Sequence, residues 1–345
     1  MSRKGNTKEA EDERHPRKSY VLFGQDEALA RAAHAIRGGR PPQGWLVSGP
    51  PGIGKATLAY RCARYILTFG ASAEGAEDLY VPPGDIVCRQ IESRAHPGLM
   101  VLARGVDAKG KKRTAIIVDQ VRRLSDFFGL TSGAGGWRVA IVDSADDLND
   151  HAANALLKLL EEPPARAILL LIAHAPGRLL PTIRSRCRRL DLRPLPRSEM
   201  TEALAHYLPS MDAAACKLLM DFAEGSLGQA LKLAQGDGLK LAQEVENLIT
   251  AGRVPDFRAL FSLAERVVKA PDGLTQFGEH LLSALARKLR QAAFGPDNDY
   301  RAWVEAWEQV NHLFARAGGI HMEPRQTVIN SARIVEAGRR RCSPL

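Results

Sequence analysis

Short apolar runs alternate with helix-spaced stretches through the first half of the chain, the pattern of a parallel sheet covered by helices. Trp45-Leu46-Val47-Ser48 reads as a buried strand, followed by a helix over 56–69. Leu99-Met100-Val101-Leu102 and the segments 138–142, 167–173 and 188–192 read as further strands. Val121, Leu124 and Phe128 recur at helical spacing within a predicted helix over 118–130. The clearest helix covers 150–162: Leu156, Leu157, Leu159 and Leu160 lie near one face, and Pro163-Pro164 ends it because proline cannot supply the next N–H. Residues 70–84 are rich in Gly, Ala, Glu and Pro without a period and predict a loop. From Pro194-Leu195-Pro196 onward the pattern is helical only, divided by Gly225 and the Gly236-Asp237-Gly238 turn.

These patterns predict an α/β part followed by an all-α part. The expected division is a charged, disordered tail over 1–18, a sheet domain over 19–193, a small helical domain over 194–238 and a longer helical domain over 239–345. With 345 residues, 45% of them hydrophobic, the chain can build ordinary cores for such domains. No apolar run approaches the roughly eighteen residues of a membrane span, and the N-terminus has no apolar segment to act as a signal peptide. A cytoplasmic location without membrane contact is expected. Cys62, Cys88, Cys187, Cys216 and Cys342 are scattered with no C-x-x-C pair, so neither structural zinc nor disulfides are expected.

The net charge of +9 permits contact with a polyanion, and equally suits a basic solvated surface. Its local clusters are Lys109-Lys111-Lys112-Arg113, Arg184-Arg186-Arg188-Arg189 and Arg339-Arg340-Arg341. No stacking aromatics lie between them, which disfavours a dedicated single-strand binding surface.

Candidate chemistry centres on Gly49-Pro50-Pro51-Gly52-Ile53-Gly54-Lys55, which fits the loop that wraps nucleotide phosphates in backbone N–H groups. The position that normally holds Mg²⁺ with a hydroxyl is Ala56, and the hydroxyl comes one residue late, at Thr57. Asp143 ends an apolar strand as the usual metal-side carboxylate, but Ser144 stands where a hydrolytic enzyme places a water-activating Glu. Nucleotide-binding candidates are therefore Gly49, Gly52, Gly54, Lys55, Ala56, Thr57 and Asp143. ATP or ADP is expected to bind weakly or vestigially, the other reading being a loop kept for packing. Asp143, Asp146, Asp147 and Asp150 suggest a metal cluster, which a strand end before a polar helix start explains equally well.

The phosphate loop with Ala56-Thr57-Leu58-Ala59, the stretch Asn154-Ala155-Leu156-Leu157-Lys158-Leu159-Leu160-Glu161-Glu162-Pro163-Pro164, and Ser185-Arg186-Cys187 together resemble the bacterial clamp-loader family of DNA polymerase III. The motifs run in order from about 20 to 235, and beyond 240 only helical character and length match. The resemblance implies an AAA+ P-loop domain, a small helical lid and a helical collar that joins five subunits into a ring. It implies motor subunits and a delta subunit as partners, with the sliding clamp and primed DNA reached through the complex, a nucleotidyltransferase holoenzyme of replication. It also implies that Arg186, flanked by Ser185 and Cys187, acts in trans as an arginine finger at a neighbour's ATP site.

Departures from the family's motors point one way. Besides Ala56 and Ser144, Gly228 in Gly225-Ser226-Leu227-Gly228-Gln229-Ala230 stands where motors carry a γ-phosphate-sensing arginine, and His174-Ala175 lies near a polar sensing position. Of the four-cysteine zinc knuckle in many relatives, only Cys88 remains. The resemblance thus implies a non-hydrolysing ring member with no activity of its own. The alternatives are an autonomous AAA+ ATPase using Lys55, Thr57 and Asp143, and a nucleic-acid-binding module.

Overall fold

Five strands, β1 (Gly44–Ser48), β2 (Leu99–Ala103), β3 (Arg138–Asp143), β4 (Ala167–Ala173) and β5 (Arg188–Asp191), form one parallel sheet in the order β2-β3-β4-β1-β5. The computed structural model describes residues 14–105, 113–129, 136–250, 256–270, 272–294, 300–319 and 322–342. β4 is buried at every position, because a strand with parallel neighbours and helices on both faces must be apolar on both. Its alternate side chains feed separate cores. Ile168, Leu170 and Ile172 join Trp45 and Val47 under α1 (Asp26–Arg37), α2 (Lys55–Phe69) and α3 (Ile86–Glu92). Leu169, Leu171 and Ala173 join Leu46 under α4 (Val118–Gly129), α5 (Asp150–Glu161) and α6 (Pro181–Arg186). This is the parallel sheet covered by helices that the sequence predicts, with β1 running straight into the phosphate loop.

The sheet unit comprises Met1–Ser210 and Ala223–Gln229, and so includes α7 (Arg197–Tyr207). The other unit comprises Met211–Phe222 and Ala230–Leu345. The segment 194–238, set apart by the sequence as a lid, is shared between the two, with α8 (Ala213–Ala223) and α9 (Leu227–Leu233) near the boundaries. Within the second unit, α10 (Gly238–Thr250), α11 (Phe257–Lys269), α12 (Gly273–Ala293), α13 (Arg301–Gly319) and α14 (Pro324–Cys342) share a core that includes Leu263, Phe277, Trp303 and Val328. Trp307 packs against that core as well, so the helical spacing of the two tryptophans marks packing. Among the described residues, no helix is long and apolar enough to cross a membrane.

Three helices, α1, α3 and the six-residue α6, have no counterpart in the sequence reading. The buried positions of α1 are mostly alanines (Ala28, Ala32 and Ala33, beside Leu29 and Ile36), so few large apolar residues mark its face. α3 has seven residues and starts where the Asp85 carboxylate accepts from Val87 N at 2.7 Å. Residues 70–84 are a loop as expected, tied down by buried Leu79 and Val81. Cys88 lies in the core beside them, and burial raises its thiol pKa.

The expected tail needs a correction. Residues 1–13 lie outside the described residues, but Pro16–Lys18 form a 3-10 turn with Arg17 buried. Arg64 of α2, 2% exposed, reaches this segment. Its guanidinium donates to Ser19 O at 3.0 Å and Arg17 O at 2.6 Å and lies over the Tyr20 ring, 4.2 Å from the centroid. A mixed-charge sequence conceals this attachment, because one buried cation supplies the donors that the Pro16, Arg17 and Ser19 carbonyls need. Replacing it (Arg64→Met) is expected to cost about 2 kcal/mol in urea unfolding. It also exposes the Arg17–Lys18 bond to trypsin at a lower temperature than in the wild type.

Candidate functional site

β1 delivers the chain into a loop whose conformation requires glycine. Gly49, Gly52 and Gly54 have φ of 140°, 75° and 102°, the left-handed side that other residues avoid. A side chain at Gly49 would meet Leu192 O at 2.5 Å. α2 then begins at Lys55, so its N-terminus faces the loop with the dipole orientation that favours an anion.

The loop's own acceptors are all engaged. Lys55 is 3% exposed, and its ammonium donates to the carbonyls of Gly49, at 2.5 Å, and Pro50. Ser226 Oγ donates to Pro51 O at 2.8 Å, and Gly228 N donates to Gly52 O at 2.8 Å. A Cβ on Gly228 would stand 2.8 Å from Gly52 Cα, and one on Gly52 would stand 2.4 Å from Ser226 Oγ. The absence of a side chain at 228 therefore has a local cause: two backbones approach too closely to admit one.

Burial pulls the Lys55 pKa down to about 8, and Asp143 and Asp146 oppose the shift. Asp143 closes β3, where burial raises its carboxyl pKa while His174 and Lys55 work against that. Ala56 packs against the α1–α3 core, and Thr57 is half-buried in the first turn of α2. The structure thus gathers Gly49, Gly52, Gly54, Lys55, Ala56, Thr57 and Asp143 at one end of the sheet.

The other acidic residues have structural partners or positions of their own. Asp146 accepts from His174 N and, at 3.1 Å, from Ala175 N; Asp147 pairs with Arg104 at 3.0 Å. Asp150 lies in the first turn of α5, behind the Asn149 cap. Among the described residues, no group of three or more His, Cys, Asp or Glu could hold a metal ion.

Ser185, Arg186 and Cys187 lie elsewhere. Cys187 is buried in the α4–α6 core, and burial pushes its thiol up to about 12. That anchor turns Ser185 and Arg186 outward. The Arg186 guanidinium pairs with Glu161 at 2.7 Å and donates to Thr182 O at 3.2 Å. The Arg186 carbonyl would lie 3.4 Å from a Cβ on Gly44, the first residue of β1, whereas the phosphate loop follows the last residue of that strand. Along β1 the two sites are about 13 Å apart, too far for an arginine side chain to serve the loop of its own chain.

The sequence reading missed Gln25. Its buried amide donates to Ile53 O at 3.3 Å and Arg193 O at 2.8 Å and accepts from Arg193 N at 3.3 Å, tying the loop to the exit of β5. Only the Gly24-Gln25 step before the acidic start of α1 hints at it.

Comparison with known proteins agrees with this anatomy. The family model described as DNA polymerase III, delta subunit, matches residues 24–196, half of the chain. The chain is 39% identical over 231 residues to the DNA polymerase III subunit delta' of Pseudomonas aeruginosa, covering 66% of this chain and 64% of that protein. It is 34% identical to the delta' subunit of Escherichia coli, covering 73% and 72%. It is 33% identical to the tau subunit of Salmonella typhimurium, covering 72% and 38%, so the match leaves much of that longer relative unspanned. The phosphate loop, the sheet and these matches together show that the chain belongs to the DNA polymerase III delta-prime/clamp-loader family.

Proposed function

We propose that this chain is the delta-prime subunit of a bacterial clamp loader, a ring member that hydrolyses no ATP and lends Arg186 to a neighbouring motor subunit. In this reading it sits in the cytoplasm in a five-membered ring with motor subunits and a delta subunit. The ring opens the sliding clamp and places it on primed DNA. The separation of Arg186 from the phosphate loop of its own chain carries the proposal. A permanently charged, outward guanidinium that cannot reach its own loop suits stabilisation of a phosphoryl group on another subunit. Its pairing with Glu161 does not stand in the way, because an exposed pair of this kind is worth only about 0–1 kcal/mol and exchanges readily for a stronger anion.

The loop supports the same reading from the other side. To reach a bound phosphate, the Lys55 ammonium has to leave the carbonyls of Gly49 and Pro50. Each net hydrogen bond costs about 1 kcal/mol to open. Ala56 offers no hydroxyl to the metal, and Ser144 offers no carboxylate to the attacking water. The likeness to tau subunits favours a second reading, an ATPase in its own right that uses Thr57 and Asp143.

The two readings separate in one assay. The purified chain is expected to release phosphate from ATP no faster than buffer, and turnover abolished by Lys55→Ala would establish the second reading instead. In a complex reconstituted with motor and delta subunits, Arg186→Ala should lower clamp-dependent turnover at least about tenfold while gel filtration shows intact assembly. Unchanged turnover in that variant excludes the finger. Gly228→Ala forces a methyl against the Gly52 backbone, so chemical denaturation should show a loss of about 1–3 kcal/mol. The depressed Lys55 pKa penalises the charged form in the fold. Stability is therefore gained as pH rises from about 8 toward 10.5, the ordinary lysine value. In Lys55→Met that part of the melting-temperature rise should disappear, which a pH series of thermal melts would read directly.

A further inference from the structure

The helices on the α1–α3 face stop short of the edge strand. Leu99 packs against that core, but Val101, two residues on and on the same face of β2, is 41% exposed. Beside it lies a cavity of about 420 Å³, a size suited to a small organic ligand. Its apolar side is Leu99, Val101 and Ala103 of β2 with Ile91 of α3. The polar side is His15, Tyr60, Arg94 and His96.

The polar side offers donors. His15 Nδ1 accepts from Arg17 N at 3.2 Å, and His96 Nδ1 accepts from Gly98 N at 3.0 Å. Each neutral ring therefore carries its proton on Nε2. Burial lowers the pKa of both rings; at His15, Arg94 and Lys18 add to this and Asp143 opposes it. Arg94 adds a guanidinium and Tyr60 a phenol. Among the described residues, no carboxylate lines the cavity and no ion pair or hydrogen bond engages the Arg94 guanidinium. Arg94 also sits at φ 62°, with its N–H held by Ile91 O at 3.1 Å, a conformation glycine would adopt more readily. The strained backbone places the cation at the cavity wall.

We propose that this cavity binds a small phosphate monoester with an apolar or aromatic body, its phosphate held by Arg94, His15, His96 and Tyr60 and its body laid along the uncovered face of β2. Four donor-bearing side chains lining one cavity match the several oxygens of a phosphate better than the two of a carboxylate. This site is separate from the phosphate loop and does not depend on the ring function proposed above.

Phenyl phosphate titrated into the full chain, followed by ligand-detected NMR, tests the assignment. Phenyl phosphate is expected to bind, with inorganic phosphate, phenol and benzoate each at least about tenfold weaker. Arg94→Gly removes the cation while suiting the left-handed backbone, so its thermal midpoint should hold as phenyl phosphate affinity falls at least about tenfold. No binding by the wild type at millimolar probe overturns the proposal. So does loss of binding in Lys55→Ala with none in Arg94→Gly, which assigns the probe to the phosphate loop. Equal affinity for benzoate overturns the phosphate assignment.

Discussion

The near-contact of two glycine backbones, Gly52 in the phosphate loop and Gly228 in the first turn of α9, fixes the shape of the phosphate loop. At that distance neither residue can carry a side chain, and the Gly228 N–H fills the acceptor that Gly52 presents. Ser226 and Lys55 complete the closure by taking the neighbouring carbonyls. A loop built to offer N–H groups to an anion has thus had its carbonyl side bound from within the same unit. A buried ammonium without a phosphate is costly, and the lowered pKa of Lys55 expresses that cost.

The sheet makes this closure possible and keeps the arginine motif away from it. All five strands run parallel, so their carboxyl ends collect the loop, Asp143 and the turn at His174 on one side. Their amino ends collect Gly44, Arg188 and, beside them, the Ser185–Cys187 motif. Cys187 anchors that motif in the α4–α6 core, while the short turn of α6 leaves Arg186 held by a half-exposed glutamate. One strand length separates a pocket that has turned inward from a cation that faces outward. The same sheet also explains the open cavity at its edge, since among the described residues no helix covers the α1–α3 face of β2 at Val101.

Much of this was legible in the residues. The starts and ends of β1–β4 were legible to within a residue or two because each strand carries a continuous apolar run, which leaves few alternatives. The loop was legible because three glycines and a lysine at that spacing have few other uses. Helix α1 was not, since its contact face is mostly alanine, and neither was the packing of Pro16–Lys18, since its anchor is Arg64, far along the chain. Gln25 escaped for the same reason: each of its partners is a backbone group that any residue could supply.

By itself, the sequence determined the sheet, the phosphate loop, the missing hydroxyl and carboxylate beside it, and the arginine motif, because each is written in side-chain type and local spacing. Only the tertiary structure decided that Gly228 lies on Gly52, that the loop's carbonyls are occupied, and that Arg186 stands a strand's length from its own loop. Those facts are distances between segments remote in sequence, set by how strands and helices stack, and no local pattern encodes them.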